Sequence, residues 1–284
     1  MARTESFAKK MNDPASQFFS SFDRAIITGG SSGIGAALLR QLATLNPAIR
    51  LCNLSRSPAE IPGLGGRLES IPCDLADSDS AAEALAKVRP WLREHDQGGR
   101  LLLVNNSGFG SYGVFPAPST ERTLAMLDVN VRGPVRLTAE LGPALREHGG
   151  AVVNVASTAA FQPTPYLATY GATKAFLLHW SLALAEEWRG GDVHVLSVCP
   201  GPTETAFFRA AGFREAPLEG SGGQTASEVA AITLRALRKG KFLVTCGARN
   251  RFLAAAGSKL PKVLGTRLTA ALLRKMRLER FQEG

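Results

Sequence analysis

The chain has 284 residues, 45% of them hydrophobic, which suffices for one large α/β domain with an appendage and excludes a disordered or fibrous protein. Its formal net charge is +9, and residues 249–284 hold nine Lys or Arg against two Glu, so most of the excess lies in the C-terminal tail and no nucleic-acid partner is expected. No run of 18 apolar residues exists and the N-terminus lacks the apolar core of a signal peptide, so neither a spanning helix nor export is expected, and a cytoplasmic location is.

Residues 1–21 read as a loose arm, 22–248 as the main domain, and 249–284 as a basic helical extension. "RAIIT" (24–28) predicts a buried strand and "GAALLRQLATL" (35–45) an amphipathic helix. Strands follow at 49–55 and 67–73, a helix at 80–94, a strand at 100–106, and helices at 119–132 and 134–147. Then come a strand at 151–157, a helix at 170–189, a strand at 193–199, a helix at 226–238 and a strand at 241–246. Short Val/Ile/Leu-rich strands alternating with helices predict an α/β fold with a mostly parallel sheet covered on both faces. "FREAPLEGSGGQ" (213–224) interrupts this order as a Gly-rich surface segment. Cys52, Cys73, Cys199 and Cys246 form no C-x-x-C pair, which predicts reduced buried thiols, and no metal-ligand spacing is present.

The first strand and helix are joined by "TGGSSGIG", with Gly29, Gly33 and Gly35 spaced G-x-x-x-G-x-G. Glycines let backbone approach a pyrophosphate, and a helix N-terminus supplies free N–H groups. Thr28, Gly29, Ser31, Ser32, Gly33, Ile34 and Gly35 are therefore candidate dinucleotide contacts. The second strand ends "NLSRSPAE", with no acid to hold a ribose 2′-OH but with Ser55 and Arg56 in that place. An arginine there suits a 2′-phosphate, hence NADP(H), although it also reads as a solvated loop residue.

"YGATK" places Tyr170 and Lys174 four residues apart, one helical turn above each other, able to meet the same ligand. "TGGSSGIG", "NNSG", "YGATK" and "PGPTET", in this order over residues 22–246, resemble the short-chain dehydrogenase/reductase family. The likeness is similar in detail to ketoacyl and ketosphinganine reductases of bacteria. The resemblance implies a Rossmann-type, doubly wound sheet of seven strands, and NADP(H) as cofactor. It places the family's catalytic residues on Ser157, Tyr170 and Lys174, with its helix asparagine on Asn130. It further implies that Asn105, Asn106, Ser107 and Gly108 support the sheet beside the cofactor, with Ser107 replacing the usual Ala. Asp74 and Leu75 fall at the adenine, and Pro200, Gly201, Thr203 and Thr205 in the loop facing the nicotinamide.

Ketone reduction needs a hydride on carbon and a proton on oxygen. A phenol's pKa is about 10, and the expectation is that the Lys174 ammonium together with an oxidised nicotinamide ring draws it down, while Ser157 donates to the substrate oxygen. Asn130 is expected to hold a water that relays protons to Lys174. Phe109, Phe161, Tyr166, Phe207 and Phe208 are candidate pocket walls, suited to a lipophilic ketone or alcohol, with 202–224 as a lid. The expected function is NADP(H)-dependent reduction of a lipophilic ketone or 3-oxoacyl group. An alcohol dehydrogenase working oxidatively and a non-catalytic NADP-binding regulator are the alternatives. The helix from Tyr170 to Trp188 is apolar all round, which predicts a second face covered by a partner subunit in a homodimer or tetramer, or by the chain's own tail. In the tail, Leu268, Leu272, Leu273 and Met276 fall on one side of a basic helix. That pattern fits packing on the domain, and it also fits peripheral contact with a membrane.

Overall fold

The computed structural model describes residues 14–116, 118–211 and 223–275. Its central sheet is built from β1 (Phe22–Thr28), β2 (Arg50–Ser55), β3 (Leu68–Pro72), β4 (Arg100–Asn105), β5 (Gly150–Val155), β6 (Val193–Cys199) and, at one edge, Leu243–Thr245. The order is β3-β2-β1-β4-β5-β6 and then the Leu243–Thr245 strand, with every pair parallel. This is the Rossmann-type doubly wound sheet, and its order reverses between β1 and β4. A crevice opens at such a reversal, beyond the carboxyl ends of the strands.

Alternation along the strands feeds two cores. Ala25 and Ile27 of β1, Leu102 and Val104 of β4, and Val153 of β5 pack toward one face. Ile26, Leu101, Leu103 and Val152, the residues between them, pack toward the other. Side chains of a strand alternate, so a central strand buried on both faces must be apolar at every position, as "LLLV" is. The first core is closed by Leu38, Leu39 and Leu42 of α2 (Gly33–Leu45). α1 (Pro14–Phe19) lies at its margin, with Phe19 only 1% exposed. The second is closed by α3 (Ser78–Glu94), α5 (Gly133–Glu147) and α6 (Ala168–Glu187). Each fully buried leucine contributes about 1.5–3 kcal/mol, so neither layer is dispensable.

Three expectations change. The arm is not loose from Pro14 onward. The rings of Phe18, Phe19 and Phe22 cluster at 5.0–6.2 Å, and Asn46 Nδ2 donates to the carbonyls of Phe19 and Phe22. Residues 1–13 lie outside the described residues. The helices expected at 119–132 and 134–147 are α4 (Thr120–Leu127) and α5, joined by one wide π turn, Asp128–Arg132, that turns Asn130 inward. The expected lid is described only at its ends, since 212–222 lie outside the described residues. Those ends are pinned by pairing of β7 (Thr203–Glu204) with β8 (Gln224–Thr225), and α7 (Phe207–Ala210) follows β7.

α8 (Ala226–Arg238) opens with a capping box between Thr225 and Glu228 and leads to β9, the Leu243–Thr245 edge strand. Beyond it the tail forms α9 (Ala248–Lys259) and α10 (Lys262–Lys275), separated at Pro261. Among the described residues no helix is long and apolar enough to cross a membrane. All four cysteines are buried free thiols. Folding gathers Asp96, Glu147 and His148 at the opposite end of the sheet from the crevice, but Asp96 there pairs with the buried Arg24 at 2.9 Å.

Candidate active site

The glycine-rich turn emerges from β1 and is held from below. Thr28 Oγ1 accepts from the backbone N–H of Asn106 (2.9 Å) and of Ser107 (2.8 Å). Asn106 Nδ2 donates back to the carbonyls of Thr28 and Gly29. Gly29 and Gly33 have φ of +68° and +54°, a region in which a side chain is strained. A Cβ at Gly35 would strike the Gly29 carbonyl, so the first turn of α2 can sit directly on the loop. Ser32, at the N-cap, makes no side-chain cap bond, and no acidic residue lies in the first turn. The leading N–H groups of α2 are therefore left to an outside acceptor, the arrangement that binds phosphate.

One buried residue of this half was missed from the sequence. Asn53, fully buried in β2, accepts from the Gly30 N–H at 2.8 Å and donates to Ser55 Oγ at 2.8 Å. It fastens the glycine turn to the end of β2. The available signal was an amide inside the apolar run "IRLCNLS". Ser55 is committed to Ser57 O at 2.6 Å, so its hydroxyl is spent on the β2 turn. Arg56 is exposed and makes no hydrogen bond or ion pair among the described residues. Asp74 is turned to its own loop, accepting from the Ala76 N–H at 2.9 Å, and Leu75 packs near Gly133.

Beyond β5 the chain places the reactive set. Ser157 caps the short helical turn Thr158–Phe161, accepting from the Ala159 N–H at 3.1 Å. The Thr158 N–H donates to Pro200 O, tying this turn to the loop after β6. Tyr170, 8% exposed, lies beside Ser157, whose side chain acts on the phenol. Burial pushes its phenol up to about 12, against the smaller lowering effect of Ser157. Lys174, 4% exposed, donates to Val155 O at 2.8 Å, and its Nζ is 5.9 Å from the Tyr170 ring centroid. Burial lowers Lys174 to about 8. The neighbouring Cys199 thiol is itself pushed up to about 12 by burial, so at neutral pH it offers Lys174 no anion.

In the cofactor-free protein both groups are desolvated, and the Lys174 ammonium donates to the Val155 carbonyl. The Asn130 side chain is engaged by protein groups. Its Oδ1 accepts from the Phe109 N–H at 3.1 Å, and its Nδ2 donates to Phe109 O and to Thr173 Oγ1, both at 3.0 Å. Both amide hydrogens are used to clamp the segment after β4 onto α6. Asn105 continues the same lattice through Asn154 at 2.8 Å and Thr138 at 3.1 Å.

The loop after β6 closes the other side. Thr203 Oγ1 donates to Gly201 O at 2.9 Å, and Thr205 lies where a Cβ at Gly33 would touch it, at 3.2 Å. Phe207 then lays its ring 5.1 Å from that of Tyr170, and a Cβ at Gly110 would come within 2.8 Å of its Cζ. Tyr112, unremarked in the sequence, stands 6.1 Å from Tyr166. Phe208 packs edge-on to Phe207, and Phe109 lies under the Arg122 guanidinium. Phe161 is not a wall of this cleft. It lines a separate groove of about 440 Å³ with Pro163, Lys262 and Thr266, outside the side of α6 that carries Tyr170.

A dinucleotide fits what is present. The glycine turn is too close for side chains, the α2 N–H groups lack an acceptor, and the buried Lys174 cation lacks an anion. A Cβ at Gly108 would come within 3.1 Å of Lys174 Nζ, so the segment after β4 packs directly against the lysine.

A model of the short chain dehydrogenase family matches residues 23–215. The chain is 35% identical over 189 residues to a serine 3-dehydrogenase of Agrobacterium fabrum, covering 64% of this chain and 72% of that one. It is 34% identical over 187 residues to a very-long-chain 3-oxoacyl-CoA reductase of Neurospora crassa, covering 61% and 54%. A short chain dehydrogenase of Burkholderia cenocepacia solved with NADP superposes with a TM-score of 0.72 at 26% identity, over 87% of this chain and 97% of that one. With well over half of its length matched to one family and its sheet folded like that of a solved member, this chain belongs to the short-chain dehydrogenase family of oxidoreductases.

Proposed function

We propose that the protein is an NADP(H)-dependent reductase of lipophilic ketones or 3-oxoacyl groups, producing secondary alcohols. The observation that carries this reading is the buried, protonated Tyr170 phenol. It lies beside Ser157, is roofed by Phe207 and is set beside a glycine cradle with free helix N–H groups. NADP(H) is favoured by Arg56, which is exposed and unengaged where a 2′-phosphate would lie, and by the NADP bound to the Burkholderia protein.

The reduced cofactor, when bound, supplies a hydride to the carbonyl carbon. Tyr170 gives its proton to the carbonyl oxygen, and Ser157 donates a hydrogen bond to the same oxygen as charge grows on it. The C=O double bond becomes C–H and O–H, and the phenolate left on Tyr170 takes its proton back from solvent. Lys174, one turn away, stabilises that phenolate by charge and offers its remaining N–H groups to cofactor hydroxyls. Asn130 acts through others, holding Phe109 and Thr173 and so the cleft between them.

Burial keeps the phenol protonated at neutral pH in the cofactor-free protein, the form that reduction starts from; the same residues serve the oxidative direction, which the supply of reduced or oxidised cofactor decides. A non-catalytic regulator has no use for an unpaired buried ammonium. The name of the Agrobacterium relative specifies a polar amino acid, but the cleft here is faced by the aromatic rings of Tyr112, Tyr166 and Phe207, which suit an apolar substrate. Leu124 and Leu127 of α4 and Phe176 and Leu182 of α6 are exposed, and this face would pair two subunits. Sedimentation velocity tests it: a monomer at micromolar concentration removes the proposal.

Steady-state NADPH oxidation over a series of ketones of increasing chain length tests the function. Rates that rise with chain length, with NADPH preferred to NADH, are expected. Turnover confined to small polar substrates, or none, overturns the reading.

A further inference from the structure

The tail turns the wrong side chains outward for a pair of helices that only cover their own domain. Its buried positions are small: Ala254, Gly257, Gly265 and Thr269. A side chain at Gly257 would collide with Gln162 Oε1, so α9 lies tightly on the turn after β5. Among the described residues, most of the large apolar ones point away. Phe252 is 72% exposed, Val263 68% and Leu268 53%, and Leu253 and Leu264 are exposed as well. An amphipathic helix on a water-facing surface shows the opposite pattern, and apolar exposure on this scale marks a binding surface.

Charge identifies the occupant. Residues 248–275 contain seven Lys or Arg and no Asp or Glu. A second tail laid on this one would oppose cation to cation. A bilayer containing anionic lipid offers apolar depth and negative charge together. The position of the tail agrees. Near its end, Arg274 Nε donates to Tyr166 Oη at 2.8 Å, and Tyr166 O accepts from the Gly113 N–H at 2.9 Å. The next residues, Val114 and Phe115, are also exposed, Phe115 at 70%. Tyr166 thus joins the tail to an apolar rim of the cleft.

We propose that α9, α10 and the Val114–Phe115 rim form one docking surface for an anionic bilayer, with the mouth of the cleft turned toward the lipid. Binding is read without turnover, so it stands or falls separately from the substrate proposed above. The test is co-sedimentation of the full chain with phosphatidylcholine vesicles, with and without phosphatidylglycerol, at low and high salt. Salt-sensitive binding that requires phosphatidylglycerol is expected. The double substitution L264S/L268S, at exposed positions, should weaken it at least about tenfold with an unchanged circular dichroism spectrum. F115S should weaken it by about threefold, a smaller part of the same surface. Three results overturn the proposal: no binding by the full chain at low salt, binding indifferent to L264S/L268S, or self-association lost in L264S/L268S without vesicle binding. Binding unchanged in F115S overturns the orientation of the cleft.

Discussion

The two halves of the cleft are built on different physical terms. The cofactor half is made of backbone and short amides: the glycine turn, Thr28, Asn53 and Asn106, each fixed by hydrogen bonds of about 3 Å to buried partners. The half we propose for the substrate carries rings: Tyr112 and Tyr166 on connecting segments and Phe207 at the start of α7. A buried polar lattice tolerates few arrangements, because every unpaired group in it is costly. Ring contacts are non-directional and repack. On the proposed function, the first half would fix the chemistry and the second leave room for choice of substrate.

The largest effect is expected where the halves meet. Tyr170→Phe removes one hydroxyl and hardly any volume, so kcat should fall by roughly 10²–10⁴ with NADPH affinity changed less than about threefold. Single-turnover kinetics and a fluorescence titration check the two parts. A variant that keeps a tenth of kcat breaks the assignment of Tyr170 as proton donor.

Lys174 tests the lattice through pH. Its folded-state pKa is about 8, below its ordinary 10.5. Between those values the unfolded chain binds more protons than the folded one, so this group makes stability rise with pH from about 8 to 10.5. Below pH 8 the full cost of burying the charge remains. Lys174→Met removes that cost and should stabilise the cofactor-free protein at pH 7 by up to ~3 kcal/mol, with the gain shrinking above pH 8. The same variant should lose turnover. Urea denaturation at several pH values measures the first effect. A destabilised variant at pH 7 would mean that the ammonium is paid for by contacts beyond Val155 O.

What the sequence revealed follows the same division. The seven strands, the glycine turn and the spacing of Ser157, Tyr170 and Lys174 were legible because continuous apolar runs and fixed motif spacings are local signals. Asn53 was not read, because an amide in a strand shows its partner, Gly30, only after folding brings β2 beside β1. The side-chain contacts of Asn130 were not read for a related reason: its partners, Phe109 and Thr173, are distant in sequence and meet it across a π turn that no periodicity announces. Tyr112 and the contact of Arg274 with Tyr166 were likewise invisible, since rings on loops carry no pattern. The arm failed at its boundary, where three phenylalanines outweighed a polar composition.

Arg56→Asp sharpens the cofactor half. Among the described residues the arginine has no hydrogen-bond or ion-pair partner, so its loss should leave folding intact and act on the cofactor alone. A carboxylate repels a 2′-phosphate and accepts from a 2′-hydroxyl. NADPH binding should weaken roughly 10- to 100-fold, the scale of a lost charged hydrogen bond, while NADH binding holds or improves. Equal use of both cofactors by the unmodified protein would break this reading.

The smallest effect on chemistry is expected from Phe207→Ala, and its value is in the contrast. Phe207 touches the Tyr170 ring and fills the space above Gly110, but makes no hydrogen bond to the reactive hydroxyls. If the substrate half sets choice and not chemistry, kcat for a short ketone should change by less than about threefold, since no transition-state contact is removed. For a bulky ketone the ring is an obstacle, and kcat/KM should rise by about 10-fold or more, within the range a hydrophobic pocket discriminates. The ratio of the two specificity constants is the measurement. A uniform fall in kcat for both ketones would show that Phe207 holds Tyr170 in place, and the separation of the halves would fail at this residue.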